Sequence, residues 1–214
     1  MVSTSRHSRV ITQRLQEGDV RVRVGALGIS ALGTQVAGTI EAVGPDSAGF
    51  AKNDRVAFRS IAPTSSTTVI VAERELMGIP ADVSLDSAAA IFPCALLART
   101  VVKQVHVIGH GTRVAVTDVS VIAPFVTAWV EHLGGTVVAG GETRRADLVI
   151  SGQSIRSALG VRSGHGLAQQ AAADVFAAMR SGAFDSIALS SVADARNGSR
   201  SPVLLHPAEV TLAA

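Results

Sequence analysis

Two residues between Arg113 and Gly141, Asp118 and Ser120, combine a reactive side chain with a chemically useful place in the pattern RVAVTDVSVIAPFVTAWVEHLGGTVVAGG. Asp118 follows a β-branched run, Arg113–Val116, that reads as a buried strand. A residue just past such a strand lies at the carboxyl edge of a parallel sheet, where α/β folds gather ligands. A carboxylate there could act as a general acid or base, or anchor a polar group in a cleft. The plainer reading is a turn residue, or an acidic charge at the start of the next helix. Ser120 carries the same two readings. Cys94, the single cysteine, opens an apolar helical stretch; it reads as a small buried hydrophobe more than as a nucleophile, and enters the candidate site as a substrate contact. His110 and His165 each sit beside glycines, and both read as loop histidines.

The elements that must position these groups follow from periodicity. Pro124 to Leu133 is a helix with proline in its first turn, Gly134-Gly135 stops it, and Thr136–Ala139 is the next strand. Strand, loop, helix and strand form the opening βαβ unit of a dinucleotide-binding fold. The first loop of that unit should be rich in glycine, so that bare backbone can approach a pyrophosphate at the helix start. Here the loop is Thr117–Ala123 and contains no glycine. Val119, Val121 and Ile122 carry branched side chains into that space, and Asp118 adds a negative charge where a dianion would sit. The unit reads as a nucleotide-binding start without its phosphate cradle.

Composition bounds the rest. The chain has 214 residues, 47% hydrophobic and 17% charged, enough for a sizeable core in one large or two small domains. Aromatics are 3%, with one Trp and no Tyr, so Val, Ala, Leu and Ile must build that core. A net charge of +2 with dispersed arginines gives no basis for nucleic-acid binding. A single cysteine excludes an internal disulfide and a cysteine-based zinc site. No apolar run reaches membrane-spanning length, and the polar start MVSTSRHSR lacks the core of a signal peptide. The expectation is a soluble cytoplasmic protein.

Along the chain, VRVRV at Val20–Val24 alternates with period two, as a half-buried strand does. Gly25 to Gly33 reads as a glycine-punctuated loop. Val36–Val43, Asp54–Phe58 and Thr67–Ala72 are further short strands, which together suggest a small barrel or sandwich. Ser84 is a plausible cap for a helix over Leu85–Ile91, and Pro93 restarts a second helix. Asp147–Ser151 is another parallel-type strand. Leu167–Arg180 is an alanine-rich helix, and Ile187–Ser190 and Val203–His206 could complete the sheet.

In that order and spacing, VRVRVGALGIS, VAGTIEAVGPDSAGFAKNDRVAF and VAERELMGIPADVSLDSAAAIF resemble the medium-chain dehydrogenase/reductase superfamily. The quinone oxidoreductases and the enoyl reductase domains of polyketide synthases are the nearest in character. ADLVISGQSIRSALG resembles the family's later strand and the turn after it, and the end of the chain resembles the family's C-terminus. The resemblance implies an α/β chain with two domains. Residues 1–82 would be a GroES-like β-barrel, and 83–214 a truncated Rossmann-like parallel sheet whose C-terminal segment packs back across the boundary. The shortening would fall around Val161–Leu167, with a second trim between Ile29 and Gly33. Where zinc-dependent relatives carry a His-Glu pair, this chain has Gly33-Thr34-Gln35, so no metal site is expected. The tyrosine proton donor of many enoyl reductases is also missing.

By the same resemblance, Arg99 lies in the helix that usually supplies an aromatic to the cleft, where a cation could meet a carboxylate or enolate oxygen. Arg59 and Ser60 fall on the cleft side, although a surface role for these residues is as good a reading. Phe92, Ile122 and Phe125 would line the apolar wall beside them. Arg144 and Arg145 stand near the place where relatives hold the NADPH 2′-phosphate, but without the glycine loop they read as surface charges. The expected function is a cofactor-independent enzyme on a reductase scaffold. It would bind an apolar polyketide-like substrate and catalyse a non-redox cyclisation or cycloaddition, dehydration or isomerisation in natural-product biosynthesis. The alternatives are an NADPH-dependent enoyl or quinone reductase and a non-catalytic, dimerising subunit. The expected partners are a small apolar molecule and an optional second copy of the chain, with no nucleic acid and no membrane.

Overall fold

The alternation of VRVRV becomes a strand with Val20, Val22 and Val24 buried, and Arg21 and Arg23 on the opposite face. In the computed structural model, which describes residues 14–30, 32–60, 67–119, 121–138, 143–161, 165–190 and 202–206, this strand, β1, runs over Asp19–Ser30. It therefore continues through the stretch expected to be a loop. Gly25 and Gly28 are not turn residues. They let the helix α1 (Leu85–Ala90) lie against the strand, since a Cβ at Gly28 would run into the Ala89 carbonyl. Bulges at Arg21/Val22 and Val24/Ala26 let β1 bend as it passes beneath the helix.

The first sheet is antiparallel. β2 (Gly33–Val43), β3 (Arg55–Ser60), β4 (Thr68–Ala72) and β5 (Met77–Gly78) join β1 in the order β4-β1-β2-β3-β5. A later strand, β9 (Val203–Leu205), pairs antiparallel with β1 along Leu27 to Ile29. No sheet closes among the described residues, so the expected barrel is here a six-stranded open sheet. Val203–His206 thus joins the antiparallel sheet and not the parallel one. That edge of β1 is occupied within the chain. Arg55 fastens the sheet to the chain ahead of α1, donating to the carbonyls of Pro80 (2.9 Å), Ala81 (2.8 Å) and Val83.

Ser84 caps α1 as expected, accepting from the Ser87 amide at 3.0 Å. α2 (Phe92–Thr100) follows with Pro93 in its first turn and ends in a π-type turn, Val101–Val105. The second sheet is parallel, with β6 (Arg113–Val116) between β7 (Thr136–Val137) and β8 (Leu148–Ile150). α3 (Ala123–His132) connects β6 to β7 and ends before Gly134, whose φ is 78°. A complete dinucleotide-binding sheet has about six strands; the described parallel sheet has three.

Parallel strands usually need a helical crossover of a dozen or more residues. Here β7 and β8 are joined only by residues 138–147, in which the described part is a 3₁₀ turn at Thr143–Arg145. The visible abbreviation is therefore at 138–147, while residues 162–164, within the stretch where shortening was expected, lie outside the described chain. The strand expected at Asp147–Ser151 is β8, and Gly152–Gly160, expected as the turn after it, is a helix, α4, started by a capping box between Ser151 and Ser154. α5 (His165–Arg180) follows it, and Gly182 with φ 78° ends the turn beyond. Ser190 makes an isolated parallel bridge to Val203 in place of a further strand of the parallel sheet.

One apolar core joins the two sheets. It takes Ala26, Ala37 and Ala57 from the antiparallel sheet, Val114 and Ile150 from the parallel one, and the inner faces of α1, α2, α3 and α5. Trp129 sits within it at 1% exposure, its indole N–H donating to the Ala95 carbonyl at 2.8 Å. Val22, Val36, Val56 and Phe58 form a second cluster on the other face of the antiparallel sheet.

Candidate functional site

The face of β2 and β3 that carries Ala37 and Ala57 also carries Gln35 and Arg59, which are partners across the ladder. Helix α2 crosses this face and presents Phe92, Leu96 and Thr100, spaced four residues apart on one side. The C-terminal end of α4 brings Leu159 to the same space, followed by Val161. Between them lies a cleft of about 330 Å³, within the size range of small-molecule pockets. Met77 of β5 and Leu97 of α2 complete an apolar lining.

Its polar groups are few. Thr100 donates its hydroxyl to the Leu96 carbonyl of its own helix at 3.0 Å. Arg59 is exposed at the rim, beside Gly33 of the β1–β2 turn. Gln35 is 4% exposed, and its carboxamide nitrogen is buried with no hydrogen-bond partner among the described residues. Among the described residues no carboxylate lines this cleft.

Of the residues singled out in the sequence, Arg59 and Phe92 line the cleft. Ser60 pairs with Thr34 in the ladder, but its side chain is outside the description, and Ser120 lies outside the described residues altogether. Cys94 is fully buried, and burial pushes its thiol up from 9.0 to about 11, against a smaller opposing hydrogen bond with Ser30. Arg99 is on the flank of α2 that meets α5. It donates to Asp174 from Nε (2.9 Å) and Nη2 (2.7 Å), while Lys103 reaches the same oxygen at 3.1 Å. Burial raises the Asp174 carboxyl, but the hydrogen bonds from Arg99 and Lys103, with their charges, outweigh it and hold it below the usual carboxylate value. Arg99 is thereby engaged as a tie between helices, and neither it nor Cys94 is among the lining residues.

Asp118, Ile122 and Phe125 belong to the start of α3. Asp118 is exposed at the carboxyl end of β6 with φ 53°, a left-handed conformation. Ile122 and Phe125 are 6% and 0% exposed and form part of the core, Phe125 lying 6.2 Å from the Phe184 ring. The amide donors at this helix start are turned inward. The N–H groups of Ile122 and Ala123 both donate to the Val119 carbonyl, at 2.8 and 3.1 Å, and that of Phe125 donates to Ile122 at 3.0 Å. Pro124 has no N–H. A dinucleotide pyrophosphate is held at such a position by free backbone donors and a positive helix end. Ile122, Ala123 and Phe125 thus offer no free first-turn donor, and the exposed Asp118 adds a negative charge ahead of them, so these residues do not fit that group.

Sequence reasoning missed Gln35, Leu96, Thr100 and Leu159. The i, i+4, i+8 spacing of Phe92, Leu96 and Thr100 was a readable signal of one helix face. Gln35 stands out in the sequence only as a place where metal ligands are missing.

The likeness of the chain to known proteins lies in its fold. No family model matches it, and no curated protein matches it significantly. Solved structures do match. A 2-haloacrylate reductase aligns with TM-score 0.70 at 16% identity, over 91% of this chain and 92% of that one. The fold is that of the medium-chain dehydrogenase/reductases. A mycobacterial quinone oxidoreductase aligns with TM-score 0.69 at 17% identity, over 91% of this chain and 93% of that one. The quinone oxidoreductase of Escherichia coli complexed with NADPH aligns with TM-score 0.51 at 21% identity, over 69% of this chain and 49% of that one. Among the described residues no helix is long and apolar enough to cross a membrane, and no group of His, Cys, Asp and Glu could hold a metal ion.

Proposed function

We propose that this reductase-fold chain binds an apolar, carbonyl-bearing small molecule of the quinone or enone type in the cleft between β2–β3 and α2–α4. We propose further that it acts on this molecule without a nicotinamide cofactor. The observation that carries the second part is the start of α3, where Val119 takes up the donors of Ile122 and Ala123. The feasible chemistry is non-redox: cyclisation or cycloaddition, dehydration or isomerisation of a polyketide-like substrate. The apolar walls would hold one reactive conformer and exclude water. Arg59 at the rim would stabilise negative charge developing on a substrate oxygen.

A second reading, NADPH-dependent reduction of a quinone or conjugated enone, is supported by the fold comparisons, which taken alone favour it over ring closure. Titration with NADPH, followed by nucleotide fluorescence and calorimetric heat, distinguishes the two. Absence of binding at millimolar NADPH is the result expected. Micromolar binding, together with NADPH consumption on addition of a quinone, would replace the first reading with the second. A homodimer belongs to the same proposal, and sedimentation equilibrium reads it directly.

A further inference from the structure

We infer that the Gln35 carboxamide reads a carbonyl oxygen on the ligand of this cleft, an inference that rests on the cleft being a small-molecule site. A carboxamide nitrogen carries two N–H donors. At Gln35 that nitrogen is buried and neither donor has an acceptor among the described residues, in a residue only 4% exposed. An unmade donor in an apolar setting is costly, and the cost disappears when an acceptor arrives. Gln35 lines the cleft, so the space from which an acceptor can arrive is the cleft itself. Among the described lining residues, the one other polar side chain beyond Arg59 and Thr34, Thr100, has given its proton to its own helix.

The kind of oxygen follows from where the charges lie. Gln35 is neutral and deep, whereas Arg59, its partner across the ladder, is exposed at the rim. Seating a carboxylate beside a neutral amide in an apolar wall would strip its hydration without a matching charge. A ketone or quinone oxygen loses far less and needs only a donor. The ligand is therefore an apolar body with its carbonyl directed toward β2, and Arg59 stands near enough to favour enolate-like charge without demanding an anion.

The test uses three naphthalenes of one size: 2-acetylnaphthalene, 2-ethylnaphthalene and 2-naphthoate. Binding is measured by calorimetry on the full chain, and amide shifts at Leu96 and Thr100 report the site. The unaltered chain is expected to prefer the acetyl over the ethyl compound by about tenfold, the worth of one hydrogen bond. Gln35→Leu, nearly equal in volume, should bind both alike, keep the affinity for the ethyl compound, and melt at a higher temperature than the unaltered chain when no ligand is present. An acetyl preference that survives in Gln35→Leu overturns the inference while leaving the cleft reading intact. So does tightest binding of 2-naphthoate that is lost in Arg59→Ala. If none of the three perturbs Leu96 or Thr100, the cleft reading fails and the inference falls with it.

Discussion

Arg99 and Asp174, 75 residues apart in the chain, meet through two hydrogen bonds to a single carboxylate oxygen. The pair ties α2, which forms one wall of the cleft, to α5. Arg99 is 8% exposed, and the side chain of Asp174 about a third exposed. Asp174→Asn strands a buried cation and should lower stability by about 2–3 kcal/mol, somewhat less than a fully buried pair would lose. The folded-state value of Asp174 lies below its unfolded one, so its contribution is present above the ordinary carboxylate range and is lost as pH falls through the folded value. Denaturant midpoints recorded at neutral and acid pH should converge between the two proteins as pH falls.

Cys94 should resist thiol reagents in the native state and react once unfolded. Its proton is held to about 11 in the fold, against an ordinary value of 9.0. Between those two values the unfolded chain binds fewer protons than the folded one, so stability falls as pH rises through that window. Cys94→Ala should flatten that alkaline slope, as read from urea midpoints at pH about 8 and about 10.5.

Gly28→Ala should be among the most damaging small substitutions, costing about 3 kcal/mol by forcing α1 off β1. The added methyl meets the Ala89 backbone, which cannot swing aside as a flexible side chain would. Gly109→Ala meets nothing within 4 Å and should stay within about 0.5 kcal/mol of the unaltered protein. Thermal melts of the two variants provide the comparison.

Asp118→Gly removes a left-handed non-glycine residue and a negative charge in one step. Stability should hold or rise by up to about 1 kcal/mol, because glycine accepts a positive φ without strain. NADPH affinity should remain absent, since the amides of Ile122 and Ala123 are still bound to Val119. Nucleotide fluorescence with the purified variant checks this; a gain of micromolar binding would mean that the charge, and not the closed turn, had been the obstacle.

Much of the fold was legible because local chemistry marks it. The alternation of Val20, Val22 and Val24, the Ser84 cap, Pro124 in a first helical turn and the stop at Gly134 all appear where the pattern puts them. What was not legible depends on contacts made at long range. Gly25 and Gly28 carry the same local signal as a turn, and only the approach of α1 explains them as strand residues. Val203–Leu205 has the apolar run of a parallel strand, yet its partner is β1. The residues of the site divide in the same way. Phe92 and Arg59 were visible as an aromatic and a cation next to the cleft, while Gln35 gains its meaning only from a nitrogen left without a partner, which no sequence displays.

The pairing of Leu27 with Leu205 joins positions near opposite ends of the described chain. Closing so long a loop costs entropy that nearby contacts do not repay, so folding should be slow for a chain of this size. The antiparallel sheet reaches its full complement of strands only after nearly all the intervening residues have left the ribosome. Until then β1 presents an unfilled edge at Leu27–Ile29, the kind of edge that invites foreign strands. Cover for that edge of β1 thus rests on three residues, Val203–Leu205, that lie far along the chain from it.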